Sequence, residues 1–420
     1  MARTKKQSNF SVAQRTENFK KEFSTHAMTA EIIIDSDNLE IPNYVEKVDQ
    51  RLGIIRWGDD NLFPQHLINI MHNTVEHNSI AKRVVDMTVG EGIKIGLENT
   101  VEFRRFLNNG ISKYSLLDVC DRICWDLITF GCYAFEVIWT RDGEGFNYIK
   151  HVPMQNLRRA WGEEHDGFKY CDNWAFTSKF KPRFLAEFDP NLKETHPSQI
   201  YFSKIYSPGT ETYTLPSYFG GIYWILLSNY ISAFHLENAE NGYNPGLIFS
   251  FKAEPTEEVR RQIKKGMDEQ VGGLKNTGKP VLLFSANPED APDITTVNPN
   301  QNDKQFESLI HTCTQKILSA WRVTDPSIMG IPTAQGLSDS SDRMLMAEYR
   351  FQKIVIDSLQ MFIQRDLNYL MSFSGIADTF TFNKFIDEEK YAMLKDMYGP
   401  AQAQAIQEQD EKQDDNNSNI

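Results

Sequence analysis

The chain has no CxxC pair, no HExxH and no GxSxG, so the commonest zinc-site, metalloprotease and serine-hydrolase patterns are missing. Its cysteines are Cys120, Cys124, Cys132, Cys171 and Cys313, an odd number with no paired framework. Buried thiols in a reducing compartment are the expectation. Cys120 and Cys124 lie four apart and would share a helix face, but no histidine or second cysteine pair stands at zinc spacing. Excess positive charge is lacking too. Fifty-seven acidic side chains against 44 basic ones give a formal net charge of −13, which argues against a protein that wraps DNA by neutralising it. An acidic wall, which repels phosphate, could still let DNA pass. The start, MARTKKQSNF, is basic but has no apolar segment behind it, so no signal peptide is expected.

Long apolar runs are scarce. The segment 218–236, YFGGIYWILLSNYISAFHL, has no Asp, Glu, Lys or Arg and approaches bilayer length. It also holds two Gly, two Ser, an Asn and a His, and no Lys/Arg cluster sets an orientation. A buried helix at a packed interface is the better reading, with a membrane anchor as the alternative.

What is present is enough for two or three domains: 420 residues, 40% hydrophobic and 24% charged, as in a soluble folded protein. GGLKNTGKPVLLF, 272–284, offers most of a phosphate-binding loop over 273–279. The residue after Lys279 should carry a hydroxyl for Mg²⁺, and it is Pro280. The order is also reversed, since TEEVRRQIKKGMDEQV before it reads as a helix and PVLLFS after it as a strand. A turn is the better reading; a nucleotide-binding enzyme is the alternative.

The pattern over 54–96 begins with a turn and continues helically through Leu67, Ile68, Met71, Val75, Ile80, Val84, Val85 and Met87, closing in a GEGIKIG turn. Residues 115–153 predict a helix, a strand, the turn RDGEG and a second strand. Residues 160–215 read as short strands and loops with no resolvable order. After a helix over 217–240 come strand PGLIFSF, helix 256–271, strand PVLLFS and ITTVNP. The clearest amphipathic helix, 302–323, has Phe306, Leu309, Ile310, Cys313, Ile317, Leu318 and Trp321 on one stripe. Lys304, Glu307, His311, Gln315, Lys316 and Arg322 fall on the other. A long Pro-, Gly- and Ser-rich loop, 324–341, precedes a helix over 342–371 of roughly 45 Å, with apolar positions at Met344, Leu345, Phe351, Ile354, Val355, Leu359, Phe362, Ile363 and Leu367. From about 400 the tail is acidic and low in complexity, and disorder is expected.

No catalytic constellation stands out. His72 and His77 are five apart and would not share a helix face, and Asp59–Asp60 and Glu163–Glu164 read as solvated turns. Neither a metal, a cofactor nor enzymatic activity is expected.

The order of elements resembles phage portal proteins, the family used by long-tailed phages. WGDDNLFPQHL with NSIAKRVVDMTVGEGIKI, FGCYAFEVIW with DGEGFNYIKHVP, YTLPSYFGGIYWILLSNYISAFHLENAENGYNPGLIFSF, GGLKNTGKPVLLF and NDKQFESLIHTCTQKILSAWRVTDPSIMG are similar to its segments, in order, over roughly 54–375. Where the family often has an aromatic-Gly-Val-Pro-Pro run, this chain has Trp321-Arg322-Val323-Thr324-Asp325-Pro326. The resemblance implies an α+β portal fold: an N-terminal arm (1–40), a wing (41–216), a stem helix (217–243), a clip (244–300), a second stem helix (301–323), a tunnel loop (324–341), a long helix returning to the wing or a short crown (342–385), and a crown remnant with an acidic tail (386–420). It implies a ring of about twelve copies at one capsid vertex, through which double-stranded DNA passes. The implied partners are the major capsid protein and scaffold, the terminase large subunit and a head–tail connector, with no membrane. The location would be the virion, and the host cytoplasm during assembly. Thr333, Gln335, Ser338 and Asp339 would face DNA from the tunnel loop. Lys304, His311, Gln315 and Lys316 are the channel-facing candidates of the stem.

Overall fold

The computed structural model describes residues 42–94, 100–110, 112–162, 166–240, 247–250, 258, 261, 281–282, 293–296, 303–330, 341–376 and 378–395. It is a mixed helix-and-sheet protein, as expected. Strand β1 (Glu46–Asp49) pairs antiparallel with β2 (Ile54–Trp57). This corrects the turn expected at 54: Ile54 and Trp57 are buried at the two ends of the strand, and Ile54 also bridges to Ala160. The following turn holds Asp59 and Asp60 as surface carboxylates, paired with Lys47 at 2.5 Å and His66 at 2.6 Å.

The helical stretch after that turn is two helices, α1 (Phe63–Asn73) and α2 (Val75–Val89). Thr74 between them is extended, at φ −114° and ψ 114°. The apolar spacing carries across that break, which is why the sequence pattern hides it. Gly90, at φ +63°, ends α2, and the chain turns as expected. Helix α3 (Val101–Leu107) starts at a Thr100 cap. Helix α4 (Leu116–Phe130) starts at a full capping box, in which Ser115 and Asp118 satisfy each other's backbone N–H groups. Cys120 and Cys124 sit together in its buried face, and all five cysteines are buried free thiols.

Gly131 turns α4 directly into the sheet. At φ +80° it is in the left-handed region, and a Cβ there would lie 2.9 Å from Thr214 Cγ2 and 3.0 Å from the Leu215 carbonyl oxygen. Both conditions favour glycine. Six strands follow: β3 (Cys132–Trp139), β4 (Phe146–Val152), β5 (Leu157–Arg159), β6 (Gly167–Tyr170), β7 (Arg183–Glu187) and β8 (Ser198–Lys204). Their spatial order is β4-β3-β8-β7-β6-β5, with every neighbouring pair antiparallel except β7 and β8. The β3–β4 hairpin matches the predicted strand–turn–strand.

Helix α5 (Ile222–Glu240) leaves this body after a single 3-10 turn at Phe219–Gly221. A small sheet follows, with β9 (Leu247–Ser250) central, β10 (Val281–Leu282) parallel to it and β11 (Asp293–Thr296) antiparallel. A parallel pair needs a crossover, and Glu258 and Arg261 between them are helical, in keeping with the expected strand–helix–strand order. Helix α6 (Asp303–Ala320) returns.

Of the loop expected over 324–341, residues 331–340 lie outside the described residues, and its first part is ordered against the body. Pro326–Met329 forms a 3-10 turn with Ile328 and Met329 buried. The long helix is α7 (Ser341–Phe351), a π-turn at Gln352–Ile356, and α8 (Asp357–Ser372). It ends at Ser372, in keeping with the helix expected over 342–371, and the chain then packs back, with Phe380 and Phe382 buried and Phe382 bridged to Ile93. Of the apolar positions expected on it, Met344 and Ile354 are exposed and Phe351, Val355, Ile363 and Leu367 are buried. Helix α8 is tied to the large sheet by Tyr133, whose hydroxyl donates to buried Asp366 at 2.7 Å, and to α2 by Gln360, which donates to the Thr88 carbonyl at 3.0 Å.

Candidate functional site

The two helices α5 and α6 meet the large body at one crossing. A Cβ added at Gly221 would stand 2.5 Å from Ala320 Cβ, so the pair of small residues lets the two backbones approach. Three aromatic rings lock the crossing to α2. Tyr218 stacks on Trp321 with centroids 5.0 Å apart, and its edge contact to His77 is 4.4 Å. Trp321 Nε1 donates to His77 Nδ1 at 3.0 Å, and the Tyr218 hydroxyl donates to the Thr129 carbonyl at 2.8 Å. Burial pushes His77 down to about 3, so this imidazole is a neutral acceptor. Further along α5, Ser228 donates to Glu76 at 3.0 Å and Asn229 to the Asn73 carbonyl at 2.5 Å. The polar residues that weaken 218–236 as a membrane span therefore dock the helix on the α1–α2 junction.

Past α6 the chain makes a tight stop. Val323 N–H donates to the Leu318 carbonyl at 2.9 Å, and Arg322 adopts φ +58°. This is a helix C-terminus that ordinarily uses glycine. Arg322 adopts there the conformation that glycine ordinarily supplies. Asp325 then caps the 3-10 turn, accepting from the Ser327 N–H at 3.0 Å and its hydroxyl at 2.6 Å. Arg343 Nε lies 3.4 Å from the same carboxylate. Burial raises the Asp325 carboxyl, but the Ser327 bonds and Arg343 outweigh it and hold it below the usual range. That ion pair joins the two ends of segment 331–340. Beside it is a cleft of about 390 Å³ between the end of α6, residues 324–326 and α7, lined by Gln315, Leu318, Arg322, Arg350, Phe351 and Ile354 among others.

Of the sequence-derived candidates, His311, Gln315 and Lys316 are exposed on one side of α6, and Gln315 reaches the cleft. Cys313, Ile317, Leu318 and Trp321 are buried on the other side, as the stripe predicts, while Ile310 is exposed. The Lys304 side chain and Thr333, Gln335, Ser338 and Asp339 lie outside the described residues, as do 273–279. Sequence reasoning set His77 aside, placed Arg322 only on the polar stripe of the helix, and missed Arg350. A histidine within an apolar helical pattern, facing a tryptophan far along the chain, leaves no local signal.

Among the described residues there is no group of acidic, cysteine or histidine side chains that could hold a metal, and no helix long and apolar enough to cross a membrane.

With this geometry in view, the chain is similar in sequence to the "Probable portal protein" of Haemophilus phage HP1, at 23% identity over 215 residues. The match covers 51% of this chain and 58% of that relative, so it spans little more than half of the relative's length. No protein-family model matches. In fold it is similar to a chain from the virion of a native gene transfer agent particle, at TM-score 0.51 and 14% identity, over 81% of this chain and 89% of the other. It is also similar to a chain from the neck of that native particle computed with C12 symmetry, at TM-score 0.50 and 15% identity, over 80% and 88%. The likeness to phage portal proteins read from the residues is thus found again in comparison with a curated relative.

Proposed function

We propose that this chain is the subunit of a portal ring at one capsid vertex, the channel for packaging and releasing double-stranded DNA. The observation that carries the reading is the helix pair α5 and α6, which leaves and rejoins one α/β body at a single tight crossing and carries a small three-stranded sheet between its other ends. In this reading the large body is the wing, the pair is the stem, and the small sheet is the clip where a terminase and later a head–tail connector dock. The neck computed with C12 symmetry supports a ring of about twelve. The role is structural, with ATP hydrolysis left to the terminase.

The exposed side of α6 carries His311, Gln315 and Lys316, neither wholly basic nor acidic, which suits the wall of a wet channel. Thr333, Gln335, Ser338 and Asp339 form the part of the tunnel loop nearest DNA. They include one carboxylate and no cation, so the loop touches DNA without gripping it. The Asp325–Arg343 pair anchors its base.

The test is co-assembly with the cognate capsid and scaffold proteins, with the chain gold-labelled at its C-terminus. One labelled vertex per particle is the expected result. Label on many vertices, or on none, contradicts the reading.

A further inference from the structure

Arg322 and Arg350 both line the cleft beside α6, both are exposed, and neither guanidinium has an ion pair or side-chain hydrogen bond among the described residues. Beside them the apolar wall is open. Ile354 is 60% exposed, and Met361 on the same long helix is 65% exposed. Free cations next to bare aliphatic side chains need a cover that is both anionic and apolar. A DNA phosphate would satisfy the arginines but would leave Ile354 and Met361 in water.

The chain itself has a surface of the matching sign, with 57 acidic against 44 basic side chains. Asp86, Asp118 and Asp121 are exposed together on α2 and α4. Burial and the nearby Asp86 and Asp118 carboxylates raise Asp121 against the opposing pull of Arg122, so the three carboxylates form an acidic surface.

We infer that this cleft is one half of the contact between adjacent copies of the chain, closed by a carboxylate-bearing surface of the next copy that Arg322 and Arg350 hold. The inference rests on the ring reading above and gives it a location. The arginines accept carboxylates, and Ile354 and Met361 take apolar side chains of the same neighbour. The contact is head-to-tail, with one surface of each copy meeting a different surface of the next, as a closed ring requires.

The experiment compares the native mass of the wild-type full chain with that of the Arg322→Glu/Arg350→Glu double variant, with circular dichroism on both. The expected result is wild-type rings and at least about a tenfold loss of assembled species in a variant that keeps its helical spectrum. A second measurement does not depend on that variant folding. A photo-crosslinking benzoylphenylalanine placed at Ile354 of the otherwise wild-type chain should give ladders of covalently joined protomers. Wild-type rings that show no ladder, together with a folded variant that still closes, overturn the inference and leave the ring reading standing. Variant rings that assemble fully but pass less DNA assign the arginines to phosphate and also overturn it. A wild-type chain that stays monomeric overturns both.

Discussion

Asn109 occupies the left-handed region at φ +57°, and its buried amide spans the gap between the segment before α4 and strand β4. Its Nδ2 donates to the carbonyls of Tyr114 and Ile149, both at 2.8 Å, and its Oδ1 accepts from the Ile149 N–H at 2.7 Å. Asn109→Ala removes all three bonds and leaves buried backbone groups unpaired. A loss of about 2–4 kcal/mol is expected in urea unfolding. His77 makes a pH-dependent contribution. Its imidazole has an ordinary value of 6.5 and is pushed to about 3 in the folded chain. Between those values the unfolded chain binds a proton that the native chain does not, so acidification through this window destabilises the fold. The slope from this one group is about 1.4 kcal/mol per pH unit. His77→Gln removes the titration, and its unfolding free energy should fall less steeply than wild type between pH 6 and 4. Equal slopes would remove His77 from the account. These residues were not legible in the sequence. A buried imidazole and a left-handed Arg322 are set by tertiary partners, and the usual sign of such a turn, glycine, is absent.

At the scale of elements, the crossing of α5 and α6 depends on small size at two positions. Gly221→Val forces a branched side chain against Ala320 and should cost about 1–3 kcal/mol by overpacking. Ala320→Gly in the same chain should recover part of it in thermal unfolding, and failure to recover would mean that the crossing is not the cause. The amphipathic helices were legible because period and burial agree, with Cys313, Ile317, Leu318 and Trp321 all inside. The β3–β4 hairpin was legible for the same reason, two strands around one turn. Strands β5 to β7 were not. They run three to five residues, and β7 pairs in parallel with β8 after a connection containing another 3-10 turn. Pairing of that kind is non-local, and short strands carry too few residues to show alternation. The cleft beside α6 was hidden because its two walls lie on either side of segment 331–340.

At the scale of the molecule, copies of a chain with a net charge of −13 are predicted to close into a ring around a channel. The exposed Tyr223 and Leu236 on α5 and Ile354 and Met361 on the long helix are the apolar surface that neighbouring copies would cover. Segment 331–340 is predicted to serve passage rather than closure. Shortening it should leave ring formation intact and abolish DNA packaging, and loss of the rings themselves would contradict its assignment as the tunnel loop. The most direct test of the whole account is the native mass of the purified full chain, with negative-stain images of the same sample. Closed rings of about twelve copies with a central hole are the predicted result. A monomer that stays monomeric at high concentration, and also with capsid and scaffold proteins present, would contradict it.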